Sequence, residues 1–303
     1  MKFKSFLMIA SRRVAAVPSF TLEVKSDNAG TSGTNQFTIP TLGSEIYLYD
    51  YTTSDGQSGT GITGDTTITF ASGAGTYEIY ITGVFPRIYF NDGGDRLKLL
   101  RVLEWGDYGA GATDQSSAFY GCTNLTSIAS DIGNINLTTV GYRMFRECGL
   151  SLLPSGLTLP NLTSGEEMFY INSLTGLPSG MILSNVTNAS RMFRANSITS
   201  LPSTLTLASL TNGAEMFHSN SLTDLPVGVT LPLLSNGTSM FLSNTINTTR
   251  YSQLLVDLES GNANNSVSFT GGNSKYNATG ETARNILTGG VRLWTITDGG
   301  LEP

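Results

Sequence analysis

Histidine occurs once in this chain, at His218, and cysteine twice, at Cys122 and Cys148. A Ser-His-Asp or Cys-His pair would have to be built on that one imidazole. The spacing of zinc ligands is absent. Two cysteines in 303 residues exclude a small disulfide-stapled secreted domain and leave the redox compartment open. Charge is scarce as well, at 13% of residues with a net balance of -6, and the one basic cluster is Arg12-Arg13. Nucleic acid, whose phosphates demand a basic surface, is not an expected partner. Long apolar runs are also missing. The N-terminus reads MKFKSFLMIASRRVAAVPSF, and only Phe6-Leu7-Met8-Ile9-Ala10 is unbroken before Arg12. A secretory core needs roughly 7–15 apolar residues and a membrane helix roughly 20, so neither export by a cleaved leader nor membrane insertion is expected. Residues 1–18 read instead as a retained docking segment, with Phe3, Phe6, Leu7, Ile9, Arg12 and Arg13 as its contacts; a free tail is the alternative.

The length suits two or three domains. A content of 39% apolar residues and 34 glycines, with abundant Ser, Thr and Asn, suits β-rich or repetitive structure whose turns need small polar residues. The repeat is carried by one dipeptide. Met144-Phe145, Met168-Phe169, Met192-Phe193, Met216-Phe217 and Met240-Phe241 follow one another at steps of 24 residues. Counted from each Phe, position +3 is Cys148, Asn172, Asn196, Asn220 and Asn244, and +5 is Leu150, Leu174, Ile198, Leu222 and Ile246. Leu153, Leu177, Leu201 and Leu225 occupy +8, each before a proline, and further apolar columns fall at +12, +14 and +17. No 24-residue unit could bury such a face alone, so the units are expected to stack as a solenoid. A divergent copy opens at Phe119, with Cys122 at +3 and two extra residues before Phe145. An inward polar or sulfur side chain at this column can satisfy buried turn amides. A structural role is therefore expected for Cys122 and Cys148, and a bridge between them is left open.

The string Phe119-Tyr-Gly-Cys122-Thr-Asn-Leu125-Thr-Ser-Ile128, followed by Met-Phe units, resembles the BspA-like leucine-rich-repeat family of bacterial surface proteins and phage structural proteins. The resemblance covers about 130 residues and implies a repeat fold used in adhesion or assembly, not a particular chemistry.

Before the repeat, FTLEVKS, QFTIPTL, EIYLYDY, DTTITFA, GTYEIYITG and RIYFN alternate with Gly/Asn/Asp/Ser turns, which predicts an antiparallel β-sandwich over 19–104. The stretch Ser72-Gly-Ala-Gly-Thr76-Tyr77-Glu78-Ile79-Tyr80-Ile81 resembles the late strand of polycystic-kidney-disease-type (PKD) sandwiches, although the Trp-Gly-Asp-Gly signature of that family is missing. Residues 105–118 read as a Gly-rich connection and 119–250 as the solenoid. Over 251–303 a small α/β cap is expected: a helix presenting Tyr251, Leu254, Leu255 and Leu258, a second from near Thr279 burying Ala283, Ile286 and Leu287, and strands at Val267-Phe269 and Leu293-Ile296. The ending over 271–300 resembles the tail of repeat-bearing phage fibre proteins. The fold class is thus mainly β.

Two columns carry large side chains. Two residues before each Phe stand Arg143, Glu167, Arg191 and Glu215, expected to form an exposed ladder of alternating charge that fixes register. One residue after stand Arg146, Tyr170, Arg194, His218 and Leu242, a stripe suited to cation-π contacts or to binding a partner or glycan. Glu166-Glu167 is an imaginable acid and base pair but reads as a solvated face, and Gly106-Asp-Tyr-Gly109-Ala-Gly111 as linker, not a phosphate loop. Asp55-Gly56 and Asp92-Gly-Gly-Asp95 read as turns, not calcium sites. The sequons at Asn124, Asn161, Asn185 and Asn247 read as chance occurrences. Together these features point to a non-enzymatic phage virion protein, a head or tail fibre or decoration subunit on the particle exterior. It would need no cofactor or metal, would dock on other virion proteins through residues 1–18, and would assemble with itself, a homotrimer being the expected form. A bacterial surface adhesin is the alternative, and a glycan-active enzyme using Glu166, Glu167 or Glu215 the third.

Overall fold

A computed structural model describes residues 18–303, which are mainly β with two helices. The docking residues Phe3, Phe6, Leu7, Ile9, Arg12 and Arg13 lie outside that range.

Strand β1 (Phe20–Lys25) buries Phe20, Leu22 and Val24 by period-2 alternation. It lies between β6 (Thr76–Val84) and β7 (Leu99–Glu104), antiparallel to both. Beyond β6 come β3 (Leu48–Thr53) and the edge strand β4 (Ser58–Ile62). A separate antiparallel pair, β2 (Gln36–Ile39) and β5 (Thr66–Thr69), turns Phe37, Ile39 and Ile68 inward. Phe70, just past β5, stacks on Tyr77 of β6 at 3.9 Å, which joins the two sheets through their apolar faces. RIYFN is not a strand. Its amides serve loops instead, with Tyr89 donating to the Pro40 carbonyl and Phe90 and Asn91 to Ala118 and Ser117. The sequence pattern missed β4, whose SGTGI is too small to show alternation, and β7.

The six-stranded sheet, ordered β4-β3-β6-β1-β7-β8, ends in β8 (Ser127–Ile128), parallel to β7. From there the chain advances by parallel bridges: Asp114 to Val140, then Ser164, Asn188, Asn212 and Asn236. Alternate amides of one segment donate to the next. Gly141, Arg143, Phe145 and Glu147 bond to the carbonyls of Ser164, Glu166, Met168 and Tyr170, and the pattern recurs 24 residues later. The phenylalanines form a column, from Phe119 through Phe145, Phe169, Phe193 and Phe217 to Phe241, with centroids 5.1–5.7 Å apart and planes within 8°. Each such contact is worth about 0.5–1.5 kcal/mol beyond area burial. An edge-on aromatic ring closes the column at each end, Trp105 against Phe119 and Phe269 against Phe241. Residues 105–118 are therefore no bare linker: Trp105 and Tyr108 are core, and Asp114 starts the bridge series.

A small-residue column at Gly141, Gly165, Ala189, Gly213 and Gly237 makes room for the next segment's core. A Cβ at Gly165 would sit 2.9 Å from the sulfur of Met192, and one at Gly141 2.8 Å from that of Met168. On both sides of each Met-Phe the backbone is left-handed at non-glycine residues, φ being 56° at Arg143, Glu167 and Arg191 and 53–55° at Glu147, Ile171 and Ala195. This conformation is uncommon for side-chain-bearing residues; the cross-segment amide bonds hold it in place.

At the far end, β9 (Asn236–Gly237), β10 (Ser268–Thr270) and β11 (Thr295–Thr297) form a parallel sheet in the order β11-β10-β9. Helix α1 (Thr248–Gly261) is capped by the Asn247 side chain accepting from the Arg250 amide, and buries Tyr251, Leu254, Leu255 and Leu258. Helix α2 (Ala278–Thr288), capped by Asn277, buries Ala283 and Leu287. Ile286, expected in the core, is 48% exposed because it lines the open cleft between the helices beside Val256.

Candidate functional site

The two columns of large side chains meet on one face. The Glu167 carboxylate accepts from Arg143 Nε at 2.7 Å and Arg191 Nη1 at 3.2 Å, one segment to either side, and from Arg146. Glu215 Oε1 accepts from Arg191 at 3.0 Å, and its Oε2 forms an ion pair with Arg194 at 2.5 Å and lies 3.4 Å from His218 Nδ1. The expected alternation is present, but it is not an exposed ladder of separate pairs. Glu167 is only 4% exposed, so the reading of Glu166-Glu167 as a solvated face fails at Glu167. Burial would push the Glu167 carboxyl up; hydrogen bonds from Arg143 and Arg191, with the charge of Arg146, overcome this and hold it below the ordinary range. Glu215 behaves alike, burial being outweighed by Arg191 and Arg194.

Within the stripe, the Arg146 guanidinium lies 5.0 Å from the ring centroids of both Tyr120 and Tyr170, and that of Arg194 lies 5.3 Å from Tyr170. Arg146, Tyr170, Arg194 and His218 are thus brought together on one face and partly buried. Tyr120 and Tyr142, the latter 4.6 Å under Arg143, belong to the same face and were missed: Tyr120 follows Phe119 of the divergent copy at the stripe position, and Tyr142 stands outside the columns.

The asparagine column runs along the interior. Each side chain bridges two segments: Asn220 Oδ1 accepts from the Ile198 amide at 3.0 Å, and Nδ2 donates to the Phe193 carbonyl at 2.9 Å. Asn172, Asn196 and Asn244 repeat this geometry. At the first rung the equivalent amide, Leu125, already bonds to the Cys122 carbonyl. Only a donor is needed there, and the Cys148 thiol supplies it to the Phe119 carbonyl at 3.2 Å. At the last rung Ser274 Oγ accepts from Ile246, so an acceptor alone suffices. Cys122 and Cys148 are both free and buried, and burial pushes both thiols up, away from the reactive thiolate.

A second polar line, missed in the sequence although its asparagines keep the 24-residue step, links Asn236 to Asn212 and Asn212 to Asn188 by side-chain bonds of 3.2 and 3.0 Å, and Asn188 to Glu166 at 3.0 Å. Among the sequons, Asn124 donates to the Leu97 carbonyl, Asn185 to that of Pro160, and Asn247 caps α1. The Asp55 carboxylate takes up the Thr53 hydroxyl and the Ala71 amide. Asp95 is no simple turn residue: it is buried with Lys98, whose ammonium donates to Ser32 Oγ and to the Gly33 and Gln36 carbonyls. Gly106, Gly109 and Gly111 are left-handed turn positions, and Gly106 packs directly on Ser19.

Among the described residues no three His, Cys, Asp or Glu side chains are grouped to hold a metal, and no helix is long and apolar enough to cross a membrane. Chemically, the assembled face offers charges that are largely paired between segments and tyrosine rings packed against the arginines. No family model matches this chain, and no curated protein or solved structure was found to be similar to it.

Proposed function

We propose that the chain is a non-enzymatic structural protein of a tailed-phage particle, a head or tail fibre or decoration subunit. In this reading a leucine-rich-repeat solenoid over 119–250 is displayed outward between a PKD/Ig-like sandwich over 19–104 and an α/β cap over 251–303. The observation that carries the binding or structural role is that the candidate carboxylates, the imidazole and the Cys148 thiol are committed to contacts within the protein. Glu166 takes Asn188, Glu167 takes three arginines, Glu215 takes two arginines and His218, and Cys148 takes a backbone carbonyl. A general acid or nucleophile must be free to exchange its proton with a substrate. The resemblance to BspA-like units and to phage fibre endings supports the location on a virion, and the same units leave a bacterial surface adhesin as the second reading. Arg146, Tyr170, Arg194 and His218 are the surface offered to a host protein or glycan, and residues 1–18 the attachment to the particle. Deleting residues 1–18 should abolish incorporation into particles while the remaining chain stays folded. Normal incorporation of that deletion would overturn the attachment, and processing of a glycan by the purified protein would overturn the non-enzymatic role.

A further inference from the structure

At one end of the six-stranded sheet the outward face becomes apolar. Ile46, Leu48 and Val84 are 84%, 56% and 51% exposed, and Leu48 stands directly opposite Val84 across β3 and β6. Their neighbours Tyr47, Tyr49 and Phe85 are buried, so alternation along the chain commits the three aliphatic side chains to the outside. Ile46 is the most exposed large apolar side chain among the described residues. Single exposed aliphatics need no explanation, but a group of them beside a cleft marks a contact surface.

The cleft measures about 460 Å³ and is lined by Ile46 and Val84 together with Glu45, Pro86 and the loop from Ala110 to Asp114, with no Lys or Arg among the lining residues. Its two carboxylates share one cation: Arg87, 6% exposed, reaches Glu45 at 2.6 Å and Asp114 at 3.2 Å. The rim is therefore left acidic. Only one oxygen of Asp114 is used, since Arg87 Nη1 and the Ser116 amide and hydroxyl all donate to Oδ1. Among the described residues nothing donates to its Oδ2, on a side chain that is 57% exposed. Glu104 and Asp107, at the same end of the sheet, add exposed negative charge.

These charges select the occupant. A second copy placed patch to patch would bring two acidic rims together, and an anionic lipid surface would meet the same repulsion. A protein segment with aliphatic side chains next to a Lys or Arg fits both features. The methylene stem of the basic residue lies on Ile46 and Val84 while its charged head reaches the cleft, where it gives Asp114 Oδ2 a charge-assisted hydrogen bond.

We propose that the surface of Ile46, Leu48 and Val84, with the Asp114 cleft at its side, docks a basic, aliphatic segment of a partner protein. The site shares no residue with the arginine and tyrosine stripe, and it stands or falls separately from the particle reading.

A short synthetic peptide of alternating Leu and Arg, titrated into the whole chain, is the probe. It should bind at least about tenfold more tightly than peptides of alternating Ser and Arg or of alternating Leu and Glu. Joint replacement Ile46→Thr and Leu48→Thr should weaken it at least about tenfold with the thermal melt unchanged, both sites being exposed. Asp114→Asn, which keeps Oδ1 and its bonds, should weaken it about threefold to fivefold, and Glu302→Gln, near the C-terminus, should leave it unchanged. Equal binding of the Leu-Arg and Ser-Arg peptides would overturn the proposal, as would binding that survives the joint replacement. A loss from Glu302→Gln as large as that from Asp114→Asn would reduce the effect to general attraction by an acidic chain and overturn it too. Self-association of the wild type that the joint replacement abolishes would make a second copy the occupant, with the same consequence.

Discussion

The N-terminal sheets and the stacked segments bury polar groups in opposite ways. In the stack one residue type does it at one position, and Asn172, Asn196, Asn220 and Asn244 make the same pair of bonds at every step. In the N-terminal sheets unrepeated clusters do it, the most deeply buried being Asp95 and Lys98, tied to Ser32, Gln36 and Thr38. The repeated solution spreads the load over equal rungs, and its end rungs need only half an asparagine, a donor at Cys148 and an acceptor at Ser274. The unrepeated one concentrates two charges in one place.

The sharpest way to probe this contrast is to remove one member of the concentrated cluster. Lys98→Met should cost about 3–5 kcal/mol, since it leaves the Asp95 charge buried without its partner, and the loss would be read from a urea midpoint with an unchanged slope. Asn220→Ala orphans the Ile198 amide and takes one of two donors from the Phe193 carbonyl, which keeps Asn196, so it should cost about 1 kcal/mol more than Ser274→Ala, which orphans the Ile246 amide alone at about 1–3 kcal/mol. Equal losses at the two positions would mean that the second bond to the carbonyl contributes nothing.

The outer charges provide the smallest and most conditional effect. Glu167 and Glu215 have folded-state values held below the ordinary range. Their contribution is therefore complete above the unfolded value of about 4.3 and is lost as pH falls through the lower folded value. Below about pH 4 the wild type should lose its stability advantage over Glu167→Gln, an advantage of about 1–3 kcal/mol at pH 7. A difference between the two proteins that stays constant from pH 7 to pH 3 would show that the carboxylate charge contributes nothing.

The same contrast explains what the sequence made legible. Periodicity exposes whatever recurs: the Phe column, the Asn column and the alternation of Arg143, Glu167, Arg191 and Glu215 could all be read because each appears four or more times. The apolar faces of α1 and, apart from Ile286, α2 were legible for a related reason, a local period of 3.6. Features that occur once left no pattern. Lys98 looked like any surface lysine, Trp105 and Tyr108 were hidden in a Gly-rich stretch, and RIYFN alternated like a strand while its amides bonded to loops. The burial of Glu167 was missed for a subtler reason: the column gives neighbours but not depth, and depth depends on three arginines converging from two columns. The Gly141, Gly165, Ala189, Gly213 and Gly237 column recurs too, but small residues draw attention only once the Met side chain that needs the space is known.

That one 24-residue segment can take the place of another is what both polar columns presuppose, and chain shortening tests it directly. Deleting residues 146–193, two whole periods, joins Phe145 to Arg194 and sets Arg143 beside Glu215 with Asn196 in the Asn column. Deleting residues 146–181, one and a half periods, removes fewer residues but puts the Leu183 region where the next Asn belongs. The longer deletion should melt in a single cooperative thermal transition and the shorter should show none. Equal behaviour of the two shortened chains would contradict it.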